Sequence, residues 1–238
     1  MAGIGLADGS GSDADLAVRE PRQRRTREQW DRVLDAGVLL LEEGGYEAFT
    51  IEALCARAGV PPRALYARAA TKDALFLAVY EYGMSRVLAS EHVFDDAERW
   101  ELDDDRRVEQ AVRSLVQVFV DHAAFLRSIV LISGAHPEVQ RRGAAYRSAL
   151  GTRFVAALGP VEDGDRAGSA VVEREFCFSS VFSAMVVRTA YGPGFGPNGD
   201  LDALGDELVT MARRYLRPGT TERRPHASSY DDRWVPGS

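Results

Sequence analysis

Between Thr26 and Leu216 apolar residues recur at intervals of three and four, and no segment shows sustained strand-like alternation. A period of 3.6 gathers such residues along one side of a helix, whereas a half-buried strand needs a period of two. The chain is therefore expected to be all-α. In the first helix Trp30, Val33, Leu34, Gly37, Leu40 and Leu41 share one face. Thr26 with Gln29 reads as a capping box, and Gly44-Gly45 reads as the stop. A second helix opens after Thr50, buries Ile51, Leu54, Cys55 and Ala58, and ends at Gly59. Pro62 suits the first turn of a third, which runs only to about Arg68 or Ala69 before Thr71 caps a fourth. That fourth helix carries Leu75, Val79 and Tyr82 on one side and Phe76, Tyr80 and Val87 on another, as expected of a helix lying between two bodies. Five more helices are expected at about 106–121, 123–133, 137–158, 167–191 and 201–216, with turn chemistry at Pro137, Gly159 and "GPGFGPNGD" between them. The total is about nine helices.

With 238 residues, 45% of them hydrophobic, the chain can build one sizeable core or two small ones. A formal net charge of -7 argues against coating nucleic acid or anionic membrane through bulk electrostatics, so any DNA contact must come from a local basic face. Cys55 and Cys177 sit in different apolar segments without CxxC spacing and read as small buried hydrophobes of a reducing compartment. The N-terminus lacks a basic start followed by an apolar run, and the longest uncharged apolar run, Phe176 to Val187, is shorter than the ~20 residues a bilayer needs. The expectation is a cytoplasmic protein with no membrane partner. His92, His122, His136 and His226 are scattered, and there is no HExxH, no GxSxG and no glycine-rich phosphate loop. No enzymatic activity, metal or cofactor is expected. Residues 1–18 and 217–238 are polar and small, and read as flexible tails.

Two helices joined by a tight glycine-containing turn, the second short and presenting polar side chains, form a helix-turn-helix whose second helix enters the DNA major groove. Residues 51–58, the Gly59-Val60 turn and residues 62–68 have that form, with Leu54, Ala58, Val60 and Leu65 facing the first helix. Arg63, Tyr66, Ala67 and Arg68 then point outward. The motif elements here are Gly45-Tyr46, Thr50, Ala58-Gly59-Val60, Leu65-Tyr66 and Lys72-Asp73-Ala74-Leu75. Together, over about residues 26–80, they resemble the DNA-binding domain of TetR-family transcriptional regulators. The resemblance implies that Thr50, Tyr66 and Lys72 grip DNA phosphates and that Pro62, Arg63, Ala67 and Arg68 approach base edges. It divides the chain into a DNA-binding unit, 19–72, and a ligand-binding and dimerisation unit, 73–216. Arginine can be bidentate to guanine, and Lys72, the chain's single lysine, opens a helix whose dipole favours a phosphate. The arm "REPRQRRTR", with Arg24 and Arg25 nearest the first helix, suits the DNA backbone or minor groove. Two departures stand out. Pro61 has no side-chain oxygen to cap the recognition helix, and Ala69-Ala70 replaces the commoner aromatic.

The segment "EREFCFSSVFSAMVVRTAYG" is apolar on most faces and must be covered partly by its own domain and partly by a second copy. The resemblance implies a homodimer formed by the last two helices, an inverted-repeat operator in double-stranded DNA, and release by a small-molecule effector, with repression the commoner mode. Phe119, Phe125, Phe178, Phe182 and Met185 are the candidates for lining the effector pocket. The rival reading is a dimeric small-molecule-binding protein of the same fold that no longer reads DNA.

Overall fold

The computed structural model describes residues 24–95, 100, 103–161, 167–195 and 200–217, with the backbone alone at Arg24, Arg25 and Phe195. The expected tails, apart from Arg217, and the arm residues Arg19 and Arg22 lie outside the described residues. Among the described residues there are nine α-helices and no strand. They are α1 (Arg24–Ala48), α2 (Ile51–Ala58), α3 (Pro62–Tyr66), α4 (Lys72–Ser90), α5 (Asp104–Asp121), α6 (Ala123–Ser133), α7 (Pro137–Ala157), α8 (Ala167–Tyr191) and α9 (Leu201–Leu216). Single 3-10 turns follow α4 (Glu91–Phe94) and α8 (Gly192–Phe195). No single helix among the described residues is long and apolar enough to cross a membrane.

Local chemistry accounts for most boundaries. Side-chain oxygens of Thr50, Thr71, Asp103 and Asp200 each accept a backbone N–H from the first turn of the helix they precede. The cap at Asp103 starts α5 two residues earlier than periodicity alone suggests, because Asp104 and Asp105 suit the positive end of a helix. The expected cap at Thr26 is corrected: α1 already includes Arg24 and Arg25, so Thr26 lies inside the helix and the capping box does not open it. Arginine is a good helix former and carries the helix through these positions. The basic residues nearest α1 are thus helical in backbone rather than part of an extended arm.

Buried side chains from α1 through α9 form one continuous apolar cluster. α4 is buried on both of its expected apolar sides at Leu75, Phe76, Val79, Tyr80 and Val87, whereas Tyr82 is half-buried and donates its hydroxyl to Asp35 of α1 at 2.7 Å. The neighbours of α4 come unusually close. A Cβ on Gly37 of α1 would stand 2.4 Å from Val79, and one on Gly83 would stand 2.1 Å from the Phe125 ring of α6. Around α4 and its 3-10 turn, α7 is held by charge. Arg142 pairs with Glu81 and Glu138, and Arg153 reaches the carboxylate of Glu91 at 2.8 Å, the Glu91 carbonyl at 2.8 Å and Asp95 at 2.9 Å. Glu91 is fully buried and also accepts the Tyr146 hydroxyl. Burial pushes the Glu91 carboxyl up, opposed by Tyr146 and Arg153.

The rest of the bundle is built on aromatic contacts. Trp100, Phe94, Phe154, Phe178, Phe182 and Phe119 follow one another with ring centroids 5.5 to 6.2 Å apart. Both cysteines are free; Cys177 is buried, which pushes its thiol up to about 12, and Cys55 is half-buried. On α8 a stripe of large apolar residues, Val172, Phe176, Val187 and Tyr191, is exposed, and Met211 of α9 is exposed as well.

Candidate nucleic-acid interface

The helix-turn-helix is assembled from three local devices. Thr50, in extended conformation, caps α2 by accepting the Ala53 N–H at 3.1 Å. Gly59 ends α2 with φ 65 and ψ 40, a left-handed geometry that costs glycine little and other residues more. Pro61 is the N-cap of α3 and makes no side-chain cap bond, while Pro62 occupies the first turn, where its missing N–H is not needed. α3 is a single turn anchored by Leu65, which is 1% exposed. Beyond Tyr66, bonds from the Ala67, Arg68 and Ala69 amides carry the turn on, and they bury Ala69.

That anchoring decides what faces outward. Pro62, Arg63, Tyr66 and Ala67 are exposed, Tyr66 by 54%, and Arg68 is half-buried. Leu54, Ala58, Val60 and Leu65 are all buried and form the inner face. The pair α2–α3 is tied to α1 by Arg57, which makes two bonds of 2.7 and 2.8 Å to Glu43 and holds that carboxyl below its usual range. Thr50 and Lys72 are half-buried. The side chains of Arg24 and Arg25 lie outside the described residues.

Sequence reasoning did not place Tyr46 beside Lys72 and Asp73. The backbone breaks at Gly45 (φ 66, ψ -162), and the break turns Tyr46 toward the start of α4. There the Lys72 ammonium sits 4.4 Å from the centroid of the Tyr46 ring, and the Tyr46 hydroxyl donates to Asp73 at 3.3 Å. The available signals were Gly44-Gly45, read as the helix stop, and Gly45-Tyr46, read as a motif element without a role of its own.

The five residues expected to line a pocket are placed in the bundle core. Phe119, Phe125, Phe178 and Met185 are buried and Phe182 is half-buried. Phe119 and Phe178 both contact Phe182, whereas the Phe125 ring lies against Gly83. Phe178 also floors a groove of about 300 Å³ between α7 and α8, walled by Arg147, Gly151, Thr152, Glu175 and Ser179. A second groove, of about 350 Å³, is lined by Trp100, Arg107 and Pro160 among others. No group of three or more His, Cys, Asp or Glu residues able to hold a metal occurs among the described residues.

Residues 33–79, which span most of α1, all of α2 and α3 and the start of α4, match the family model described as bacterial regulatory proteins, tetR family. Over those residues the chain is similar to the tetR family. No curated protein matches the sequence. Among solved structures, a TetR-like transcriptional regulator from Rhodococcus sp. RHA1 is similar with a TM-score of 0.55 and 18% identity, over 83% of this chain and 98% of that one. A TetR transcriptional regulator from the same organism aligns at 15% identity over 82% of this chain and 97% of that one, with a TM-score of 0.45. The tetR-family match thus falls on the helix-turn-helix, while the first of these structures extends the likeness of fold to the bundle.

Proposed function

We propose that the chain is a tetR-family transcriptional regulator, a dimeric, ligand-responsive repressor that binds an inverted repeat in double-stranded DNA. The observation that carries the reading is α3, a one-turn helix pinned by Leu65 that leaves Pro62, Arg63, Tyr66 and Ala67 exposed. Arg63 and Arg68 supply donors for base edges, Thr50, Tyr66 and Lys72 supply phosphate contacts, and Arg24 and Arg25 add charge at the start of α1. The exposed stripe Val172, Phe176, Val187 and Tyr191 on α8, with Met211 on α9, supports pairing with a second copy, because an apolar face of this length needs a cover. A dimer would present two recognition helices about one DNA turn apart, roughly 34–36 Å.

The effector is a small molecule taken up in the bundle beside Phe119, Phe125, Phe178, Phe182 and Met185, and the groove over Phe178 supports an approach between α7 and α8. The ion pairs from Arg142 to Glu81 and from Arg153 to Glu91 support a route by which movement of α7 reaches α4 and the DNA-binding helices. An effector that favours another spacing of those helices by ~1–3 kcal/mol changes operator affinity 5- to 150-fold.

Selection of duplexes from a random DNA library, with wild type beside a Tyr66→Ala, Lys72→Ala double variant, tests the reading. Enrichment of an inverted repeat by wild type alone is the expected result. No enrichment by a folded dimer would favour the rival reading, a ligand-binding protein that has lost DNA recognition, with Pro61 and Ala69 the departures responsible.

A further inference from the structure

We infer that Tyr46 is a positioning residue for DNA binding: its ring is the platform that holds the Lys72 ammonium ready for a backbone phosphate. The inference rests on the DNA-binding reading above and deepens it.

The geometry is specific. A cation within about 6 Å of an aromatic centroid is drawn to the ring face, and Lys72 lies at 4.4 Å. The ring is itself held. Its edge meets Phe76 at 4.9 Å and 80°, Phe76 is fully buried against Phe49 and the His136 ring, and the Gly45 break brings Tyr46 out of line with α1. A flexible lysine is thereby given one preferred position, which reduces the freedom lost when a phosphate binds.

The charge balance points the same way. Asp73, next to Lys72, is the obvious carboxylate to neutralise it. Yet Asp73 accepts the Tyr46 hydroxyl through one oxygen, and its other oxygen faces His136 at 4.0 Å. No carboxylate among the described residues lies within ion-pair distance of Lys72, so its donors stay available to an incoming anion. A ring face steers a cation without cancelling it. Lys72 also begins α4, a 19-residue helix whose dipole adds to the attraction. Tyr46 thus acts through Lys72 and need not touch DNA.

Two measurements test this. Because the chain has one lysine, lysine labelled with carbon-13 gives a single set of side-chain resonances, observable without DNA. In wild type and in Tyr46→Phe, the Lys72 ε-protons should be shifted upfield by the ring, and in Tyr46→Leu they should return to the solvent-exposed position. A wild-type resonance already at that position overturns the inference.

The second measurement is a double-mutant cycle on the selected operator. Tyr46→Leu should weaken binding about two- to five-fold when Lys72 is present and leave it unchanged in a Lys72→Ala background, whereas Tyr46→Phe, which keeps the ring but frees the Asp73 oxygen, should weaken it less than Tyr46→Leu. Lys72→Ala alone should reduce the slope of log affinity against log salt by about 0.9. Equal weakening by Tyr46→Leu in both backgrounds would mean that Tyr46 matters only as packing, and would overturn the inference alone. A wild type that binds no duplex would overturn the regulator reading and this inference together.

Discussion

The DNA-binding helices and the bundle place their polar groups in opposite ways. In α1–α3 and the first turn of α4, the groups argued to matter stand at or near the surface: Arg63 and Tyr66 are exposed, Arg57 meets Glu43 in solvent, and Lys72 rests on Tyr46. In the bundle, Glu91 is 0% exposed and is held inside by Arg153 and Tyr146. Charges in water gain little from pairing and can exchange partners, whereas a buried charge depends on the partner it has. The exposed pairs of the head can therefore be exchanged at small cost to the fold, while the polar groups of the bundle hold α7 to the end of α4.

The largest effect should come from breaking the buried pair. Arg153→Met removes every bond that Arg153 makes to Glu91 and Asp95, and should lower unfolding free energy by about 3 kcal/mol, near the low end for a buried pair because a quarter of Arg153 is exposed. Chemical denaturation measures it, and a loss below about 1 kcal/mol would remove the contrast between the two regions.

Arg63→Ala is the counterpart in the head. Stability should stay within about 0.5 kcal/mol of wild type. Discrimination at one operator base pair should fall by about 1–3 kcal/mol, read by competition with singly substituted duplexes. An effect spread evenly over all sequences would reassign Arg63 to phosphate contact.

Where the two regions join, Thr71 caps α4 by accepting the Ala74 N–H at 3.0 Å. Thr71→Ala should cost about 1 kcal/mol of stability in thermal unfolding. Its effect on operator affinity should exceed that of removing a cap remote from the head, such as Asp200→Ala, because α4 begins with Lys72.

The smallest effect is an acid-range dependence at the start of α7. Arg141, then Arg142, hydrogen-bond Glu138 and hold its carboxyl at about 2, below its ordinary value of 4.5. A depressed carboxylate contributes stability above its unfolded value and loses it as pH falls through the folded value, so the loss should develop between about 4.5 and 2. Lying near the surface, the pair is worth about 0.5–1 kcal/mol. Glu138→Gln should flatten stability against pH across that window, and an unchanged profile would show that other carboxylates set it.

Much of the helical layout was legible because its signals are local. The spans expected at 123–133, 167–191 and 201–216 agree with α6, α8 and α9, since periodic apolar faces there end at Gly, Pro or Asp. Thr26 failed as a cap because a capping box can occur inside a helix, and only the path of the preceding residues decides whether it opens one. Pro62 and Leu65 were legible as the opening and the anchor of α3, and Arg63 and Tyr66 as outward residues, because one turn of helix fixes which side chains share the face of a buried leucine. The placement of Tyr46 against Lys72 and Asp73 was not legible. It needs the unusual backbone at Gly45 and the approach of α4, and "GGY" specifies only that the helix is interrupted.

By itself, then, the sequence determined the nine helices, the helix-turn-helix and the residues that face outward from α3, all of which follow from spacing, caps and breakers within a few residues of one another. Only the tertiary structure decided that Tyr46 meets Asp73 across 27 positions, that Arg153 reaches Glu91 across 62, and that six aromatic rings from Trp100 to Phe119 run in contact through the bundle. The reason is physical. Local periodicity states which face of each helix is apolar, but the neighbour that covers that face depends on how closely helices can approach. At Gly37 and Gly83 that distance was set by the absence of a side chain.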